Sequence, residues 1–312
     1  MTDESSSQGV LALATTRKRL GFIDRTLDLI ELCRPRHIVK NALVLLPLAA
    51  SSTDLDIAPS LIAFVAFSMM AMAVYAINDT LDAFYDMHDP QKCTRPIASG
   101  RVSETAGLRL AGLLAFGSLT LAAGALGSEP TFWLITYCVL SIFYSHIAKE
   151  VAIIDVLIVA SGFAIRLIVG FSVTGLQDEL GWLLAPVFVA ACCLAIGKRL
   201  VRLTGLPNDV RKRLSPFYTQ KRTTWLLILL SNLAVVILAA LMSLRWGDLV
   251  DQMGLSSLNV AFLAAVGLFA WTQIIYAMLI KSSEPADIFT QDRVIVLALG
   301  AGITAVVIER IL

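Results

Sequence analysis

Charge is what this chain has least of. Asp, Glu, Lys and Arg make up 16% of its 312 residues and nearly cancel, leaving a net charge of +1. A chain so balanced has no bulk basic field, which argues against nucleic acid as a partner. Cysteine is sparse as well. Cys33, Cys93, Cys138, Cys192 and Cys193 are odd in number, and the last three lie inside apolar runs, so no disulfide framework is expected. The three histidines, His37, His88 and His146, form no His-x-x-x-His pair, which argues against zinc. A strand-embedded Gly-x-Gly-x-x-Gly and a Walker loop are both missing, which argues against the common nucleotide cradles. No cleavable signal peptide is visible, because residues 1–37 are polar and basic.

Apolar residues fill the space left by charge. They amount to 57% of the chain, and mean hydropathy is +0.77. No soluble core of this length needs so much apolar surface, so the chain reads as an integral membrane protein. Apolar segments fall at roughly 38–52, 57–77, 104–126, 131–149, 152–172, 181–203, 223–244, 257–281 and 292–312. Backbone groups in lipid must be satisfied within the segment, so each is a helix. The expected fold is therefore an all-α, polytopic bundle of nine transmembrane helices. The first segment is short and holds Lys40, Asn41 and Pro47, so it is expected to be broken or tilted. Residues 1–30 read as a cytoplasmic, partly disordered segment, and 31–312 as one transmembrane domain.

The loops sort by charge. Arg17, Lys18 and Arg19 precede the first segment, Lys92, Arg95 and Arg101 follow the second, Lys198 and Arg199 end the sixth, and Arg211, Lys212 and Arg213 follow it. The intervening loops carry Asp54, Asp56, Glu129, Asp178 and Glu179, and then Arg245 with Asp248 and Asp251. The positive-inside rule then places the N-terminus and the basic loops in the cytoplasm, and nine spans place the C-terminus outside.

Chemistry concentrates at the end of the second segment. Asn78-Asp79-x-x-Asp82-x-x-x-Asp86 spaces its acids +3 and +4. On a helix these offsets put three carboxylates on one face, within roughly 60° of each other. Unpaired acids repel, so a cation is expected among them. Mg²⁺ suits hard oxygen donors and takes one or two carboxylates plus substrate phosphates. The bland alternative is a solvated acidic helix end with local salt bridges. The cations that follow at once, Lys92 and Arg95 in Lys92-x-x-Arg95-Pro96-Ile97-Ala98-Ser99-Gly100, favour a diphosphate site.

A second group opens the fifth segment: Tyr144, Lys149 and Asp155, with Arg166 deeper in the apolar run. Eleven residues of helix rise about 16 Å, too far for Asp155 to meet Arg166. Each needs another partner, and an ionisable residue at such depth marks a substrate path. Asp155 is a candidate for a second Mg²⁺ and Lys149 for phosphate. Arg36 and Lys40 enter the first segment; for Lys40, snorkelling to headgroups is the alternative to binding. Lys198 and Arg199, in Gly197-Lys198-Arg199, either meet anionic lipid or capture an anionic substrate. Asp292-Arg293 is a weaker candidate for the rim.

With these residues laid out, the chain resembles the UbiA superfamily of intramembrane transferases over about residues 30–312. The Asn78–Asp86 and Tyr144–Asp155 segments resemble its two acidic motifs. Arg34-Pro35-Arg36-x-x-x-Lys40-Asn41, Arg95-Pro96-Ile97-Ala98-Ser99-Gly100, Gly197-Lys198-Arg199 and Asp292-Arg293 resemble the decaprenyl-phosphate phosphoribosyltransferase branch, which includes rhizobial nodulation proteins that supply arabinose. The resemblance implies a bacterial inner-membrane enzyme with a cytoplasmic site. It would transfer 5-phosphoribose from 5-phosphoribosyl 1-diphosphate to a polyprenyl phosphate, as a step towards arabinose donors.

On that reading Asp79, Asp82, Asp86 and Asp155 hold Mg²⁺, and Asp79, Asp82, Lys149 and Asp155 are catalytic. Arg36, Lys40, Asn78, Lys92, Arg95, Tyr144, Arg166, Lys198 and Arg199 hold substrate. The aromatic prenyltransferases of the superfamily open on Arg-x-Asp-x-Pro-x-Gly. Here Arg34-Pro35-Arg36-His37 has no acid and more cation, which suits a donor with two phosphate groups. The alternatives are a prenyltransferase using a prenyl diphosphate and an aromatic acceptor, and a non-catalytic carrier. The sequence specifies no oligomeric state.

Overall fold

The computed structural model describes residues 22–50, 56–89, 92–148, 151–204, 219–253 and 256–279, with Leu297, Ala301 and Thr304. Among the described residues there is no β-strand. Helix α1 covers Phe22–Leu32. A 3₁₀ segment, Pro35–Leu45, leads into the short α2, Leu46–Ala50. Then come α3, Ile57–Leu81; α4, Ala83–Met87; α5, Glu104–Ala125; and α6, Ser128–His146. They are followed by α7, Ile154–Thr174; α8, Gln177–Leu180; and α9, Leu184–Thr204. The last described helices are α10, Gln220–Leu244; α11, Trp246–Met253; and α12, Ser257–Leu279.

Six described helical stretches are long and apolar enough to cross a membrane: Ile57–Leu81, Glu104–Ala125, Ile154–Thr174, Gly181–Val201, Lys221–Leu244 and Ser257–Leu279. Each coincides with one of the nine expected segments. The other three differ for separate reasons. Helix α6 forms, but Ser141, Tyr144, Ser145 and His146 dilute its apolar character. The first segment is broken as expected, an 11-residue 3₁₀ stretch running into 5 residues of α-helix, with Pro47 unable to donate to the helix ladder. The last, 292–312, lies almost wholly outside the described residues, as do Asp292-Arg293, residues 1–21 and the basic stretch 205–218.

The chain divides into two compact units, Met1–Arg36 with Ala71–Phe116, and His37–Met70 with Gly117–Leu312. In the first, Leu32, Ala76, Ala83, Ile97, Val102 and Ala111 form a buried cluster. Burial of Ile97 and Val102 contributes roughly 1.5–3 kcal/mol each and holds the 92–102 loop down. Gly100 turns that loop at φ 74°, a conformation that favours glycine. Arg101 then ties the loop to α1. It pairs with Asp28, donates to Glu31 at 2.8 and 2.9 Å, and donates to the Thr94 carbonyl at 2.8 Å.

In the second unit, α9 packs on α7 and α10, and α6 packs on α7. The shared cluster is rich in small residues, among them Ala160, Ala191, Cys192, Cys193 and Ala277. Small side chains let helix backbones approach closely where lipid supplies no hydrophobic drive. The 3₁₀ segment and α2 lie against α7. A Cβ on Gly170 would collide with the Val44 carbonyl oxygen and stand 2.9 Å from Pro47 Cδ. Leu46 packs on Leu167 and Phe171 of the same helix.

Candidate active site

The acidic motif does not sit on one continuous helix. Helix α3 ends at Leu81, and Asp82, at φ −89° and ψ 0°, caps the short α4. Backbone bonds from Asp82 N to Asn78 O, 2.9 Å, and from Asp86 N to Asp82 O, 2.8 Å, carry the chain across the break. Asp79 and Asp86 are buried, at 3% and 2% exposure, while Asp82 and Asn78 are half-buried.

Cations stand among the acids. Arg95 Nη1 lies 2.5 Å from Asp86 Oδ2 and 3.3 Å from Asp79 Oδ1. Arg34 Nη2 lies 2.5 Å from the same Asp79 oxygen, and its guanidinium stacks 5.4 Å from the Tyr75 ring. Lys92 Nζ reaches Asp86 at 3.5 Å and Asp89 at 3.4 Å. Two buried carboxylates therefore converge on one nitrogen. Removing either partner of such a pair strands a buried charge, at roughly 3–5 kcal/mol. Among the described residues no set of three His, Cys, Asp or Glu side chains is drawn together as a finished metal cage. Two carboxylates meeting at one cation position nevertheless fit Mg²⁺, which takes its other ligands from phosphate and water.

The second group lies in the second unit. Asp155, 1% exposed, opens α7. Its Oδ2 holds Arg199 Nη2 at 2.6 Å, and its Oδ1 accepts from Val156 N at 2.8 Å. Arg199 Nη2 also donates to the Tyr144 hydroxyl at 3.2 Å. Asp155, expected to share a second Mg²⁺, thus carries an arginine. Ile153, just before α7, has φ 75°, a strained value for a β-branched residue. Lys198 is exposed next to Arg199, and Lys149 lies outside the described residues.

Arg166 is 4% exposed and fully engaged by neutral groups. It donates to Asn41 Oδ1 at 2.9 Å, the Gly162 carbonyl at 2.6 Å and the Tyr137 hydroxyl at 3.3 Å. Its guanidinium lies over the rings of Phe67, Tyr137 and Phe163 at 4.8, 5.0 and 5.6 Å. Arg166 and Asp155 find separate partners, as their spacing requires. Arg36 is exposed and Lys40 half-buried on the 3₁₀ segment. Sequence reasoning passed over Arg34 as a partner of Asp79. Its only local signal is its place in Arg34-Pro35-Arg36. Asn41 and Tyr137 were also unassigned, since no linear spacing links them to Arg166.

The model of the UbiA prenyltransferase family matches residues 42–291. The chain belongs to the UbiA prenyltransferase family. It is a membrane transferase of that family, similar to the decaprenyl-phosphate phosphoribosyltransferase of Mycolicibacterium smegmatis, at 33% identity over 86% of this chain and 87% of that one. The enzyme of the same name from Mycobacterium tuberculosis is 33% identical over 89% of this UbiA chain and 92% of its own. Nodulation protein NoeC of Azorhizobium caulinodans is 30% identical over 57% of this chain and 58% of that one. A UbiA homologue from Archaeoglobus fulgidus, solved with GPP and Mg²⁺, superposes with a TM-score of 0.65 over 89% of this chain and 99% of that one, at 17% identity. That last likeness speaks for the fold alone.

Proposed function

We propose that this UbiA-family chain transfers 5-phosphoribose from 5-phosphoribosyl 1-diphosphate to a polyprenyl phosphate. The observation that carries the reading is the convergence of Asp79 and Asp86 on Arg95 within a cationic loop. It is supported by identity of about a third to named phosphoribosyltransferases across most of the chain. Asp79, Asp86 and the half-buried Asp82 are the residues to hold Mg²⁺, which supplies charge stabilisation for the leaving diphosphate. Arg34, Lys92 and Arg95 hold diphosphate oxygens by charge-assisted bonds. Asn78 orients Asp79. In the second unit, Lys198 and Arg199 are the residues to hold a substrate phosphate, with Lys40 and Lys149 adding cationic character there and Arg36 in the first.

The chemistry needs little else. An oxygen of the lipid phosphate forms the new bond to C1, and the C1–O bond to diphosphate breaks, its electron pair leaving with the diphosphate. The nucleophile is already an anion, so no general base is required, and direct displacement inverts the anomeric centre. Cations preorganised around the departing charge lower the barrier. The loop charges support a cytoplasmic site, and the bacterial relatives support a bacterial inner membrane. The product would feed arabinose donors, for a glycan or a nodulation signal.

The test is to incubate the purified protein with Mg²⁺, labelled 5-phosphoribosyl 1-diphosphate and a set of polyprenyl phosphates. The expected result is a phosphoribosylated lipid and free diphosphate. Consumption of a prenyl diphosphate with an aromatic acceptor, and none of the phosphoribosyl donor, would overturn the donor while keeping the family. Turnover unchanged by chelating Mg²⁺ would remove the metal.

A further inference from the structure

Arg199 is held from two other helices. Tyr144 in the last turn of α6 and Asp155 in the first turn of α7 both reach its Nη2, at 3.2 and 2.6 Å. Both hold the same nitrogen. Nε and Nη1 have no partner among the described residues, and the side chain is 24% exposed. A guanidinium fixed at one nitrogen, with its other N–H groups uncommitted among the described residues, is preorganised for an oxyanion.

Asp155 is the poorer metal ligand of the acids, because it brings one carboxylate whose two oxygens are both engaged. One carboxylate oxygen is 2.6 Å from a cationic nitrogen, and the other accepts the Val156 N–H at 2.8 Å. No cluster of acids gathers around Asp155 among the described residues. Asp79 and Asp86 also hold guanidinium groups at 2.5 Å, but there two carboxylates share one cation position, Arg95 Nη1, whereas Asp155 brings a single carboxylate.

We propose that Asp155 is a positioning residue that, with Tyr144, aims Arg199 at a phosphate group of the substrate, and is not a ligand of a divalent cation. The identity of that phosphate rests on the function proposed above; the assignment of Asp155 does not. Neutralising Asp155 then releases Arg199 and weakens phosphate capture, while the metal stays where it was.

The experiment uses the full chain in nanodiscs, with Mn²⁺ as the spectroscopic probe. Electron paramagnetic resonance counts bound Mn²⁺ in wild type, Asp155→Asn, Arg199→Gln and Asp79→Asn. Kinetics then give KM and kcat for 5-phosphoribosyl 1-diphosphate. Asp155→Asn is expected to keep the wild-type Mn²⁺ count and affinity, whereas Asp79→Asn weakens it. Asp155→Asn and Arg199→Gln should each raise donor KM by roughly ten- to a hundredfold, the effect of losing one charge-assisted bond. The double variant should be no worse than Arg199→Gln alone, because the two act as one unit. Loss of a bound Mn²⁺ in Asp155→Asn, or multiplicative KM effects in the double variant, would overturn the proposal.

If Asp155→Asn does not fold, Arg199→Gln decides the matter. A freed metal ligand would bind Mn²⁺ more tightly, and the proposal requires no change. A wild-type protein that ignores the phosphoribosyl donor refutes the donor, not this assignment, since the Mn²⁺ count does not depend on it.

Discussion

One oxygen of Asp79 receives both Arg34 and Arg95, and Arg95 also holds Asp86. Asparagine at position 79 keeps the shape and removes the charge that both the arginines and a metal need. Asp79→Asn and Asp82→Asn are each expected to abolish turnover in a protein that still folds. A lost transition-state contact lowers kcat and kcat/KM together. Near-normal rates at excess Mg²⁺ in both variants would remove the metal assignment. Glu31 makes a second prediction at this scale. Its hydrogen bond with Arg101 holds its carboxyl below the ordinary range. A depressed folded pKa stabilises above the unfolded value, and the gain fades as pH falls through the folded one. The α1–loop clamp should therefore hold at neutral pH and weaken below the usual glutamate range. Because Glu31 is largely exposed, its share is only about 0.2–1 kcal/mol. Glu31→Gln should flatten the low-pH slope of Tm, and an unchanged slope would count against the clamp.

At the scale of elements, the break in the first apolar segment was legible from Lys40, Asn41 and Pro47. What the break docks against was not. Asn41 meets Arg166 across 125 positions of sequence, and no periodicity carries such a pairing. The +3/+4 spacing of the acids was readable too, but the end of α3 at Leu81 was not, because Asp82 keeps the hydrogen bond to Asn78 across the turn. Gly170 marks the docking of the 3₁₀ segment and α2 on α7. Gly170→Ala would press a methyl group into the Val44 carbonyl oxygen. Overpacking of this kind costs about 1–3 kcal/mol, so Tm in detergent should drop by several degrees. Arg166→Met should also destabilise, since it strands the polar atoms of Asn41 and Tyr137. A Gly170→Ala protein with wild-type Tm would show that this docking yields freely.

At the scale of the whole molecule, orientation follows from how lysine and arginine are distributed among the loops. Basic residues crowd the chain before the first segment, the loop after the second and the stretch after the sixth, while acids dominate the loops between. The second and sixth segments are described helices, and each runs into a group assigned to metal or substrate: α3 carries Asp79 and leads on to Asp86, Lys92 and Arg95, and α9 carries Lys198 and Arg199. Phosphorylated sugar donors are made inside the cell, so those ends should face the cytoplasm if the proposed donor is right. Cysteine scanning checks this on intact cells, in a background where the native cysteines are replaced. Asn208→Cys, beyond the end of α9, should be shielded from an impermeant thiol reagent applied outside. Asp178→Cys, at the other end of the same span, should be labelled. Permeabilising the cells should then expose position 208 without changing 178. The reverse pattern would turn the protein over. It would leave the family and the convergence of Asp79 and Asp86 untouched, but it would place the cationic ends where a cytoplasmic sugar phosphate cannot reach them.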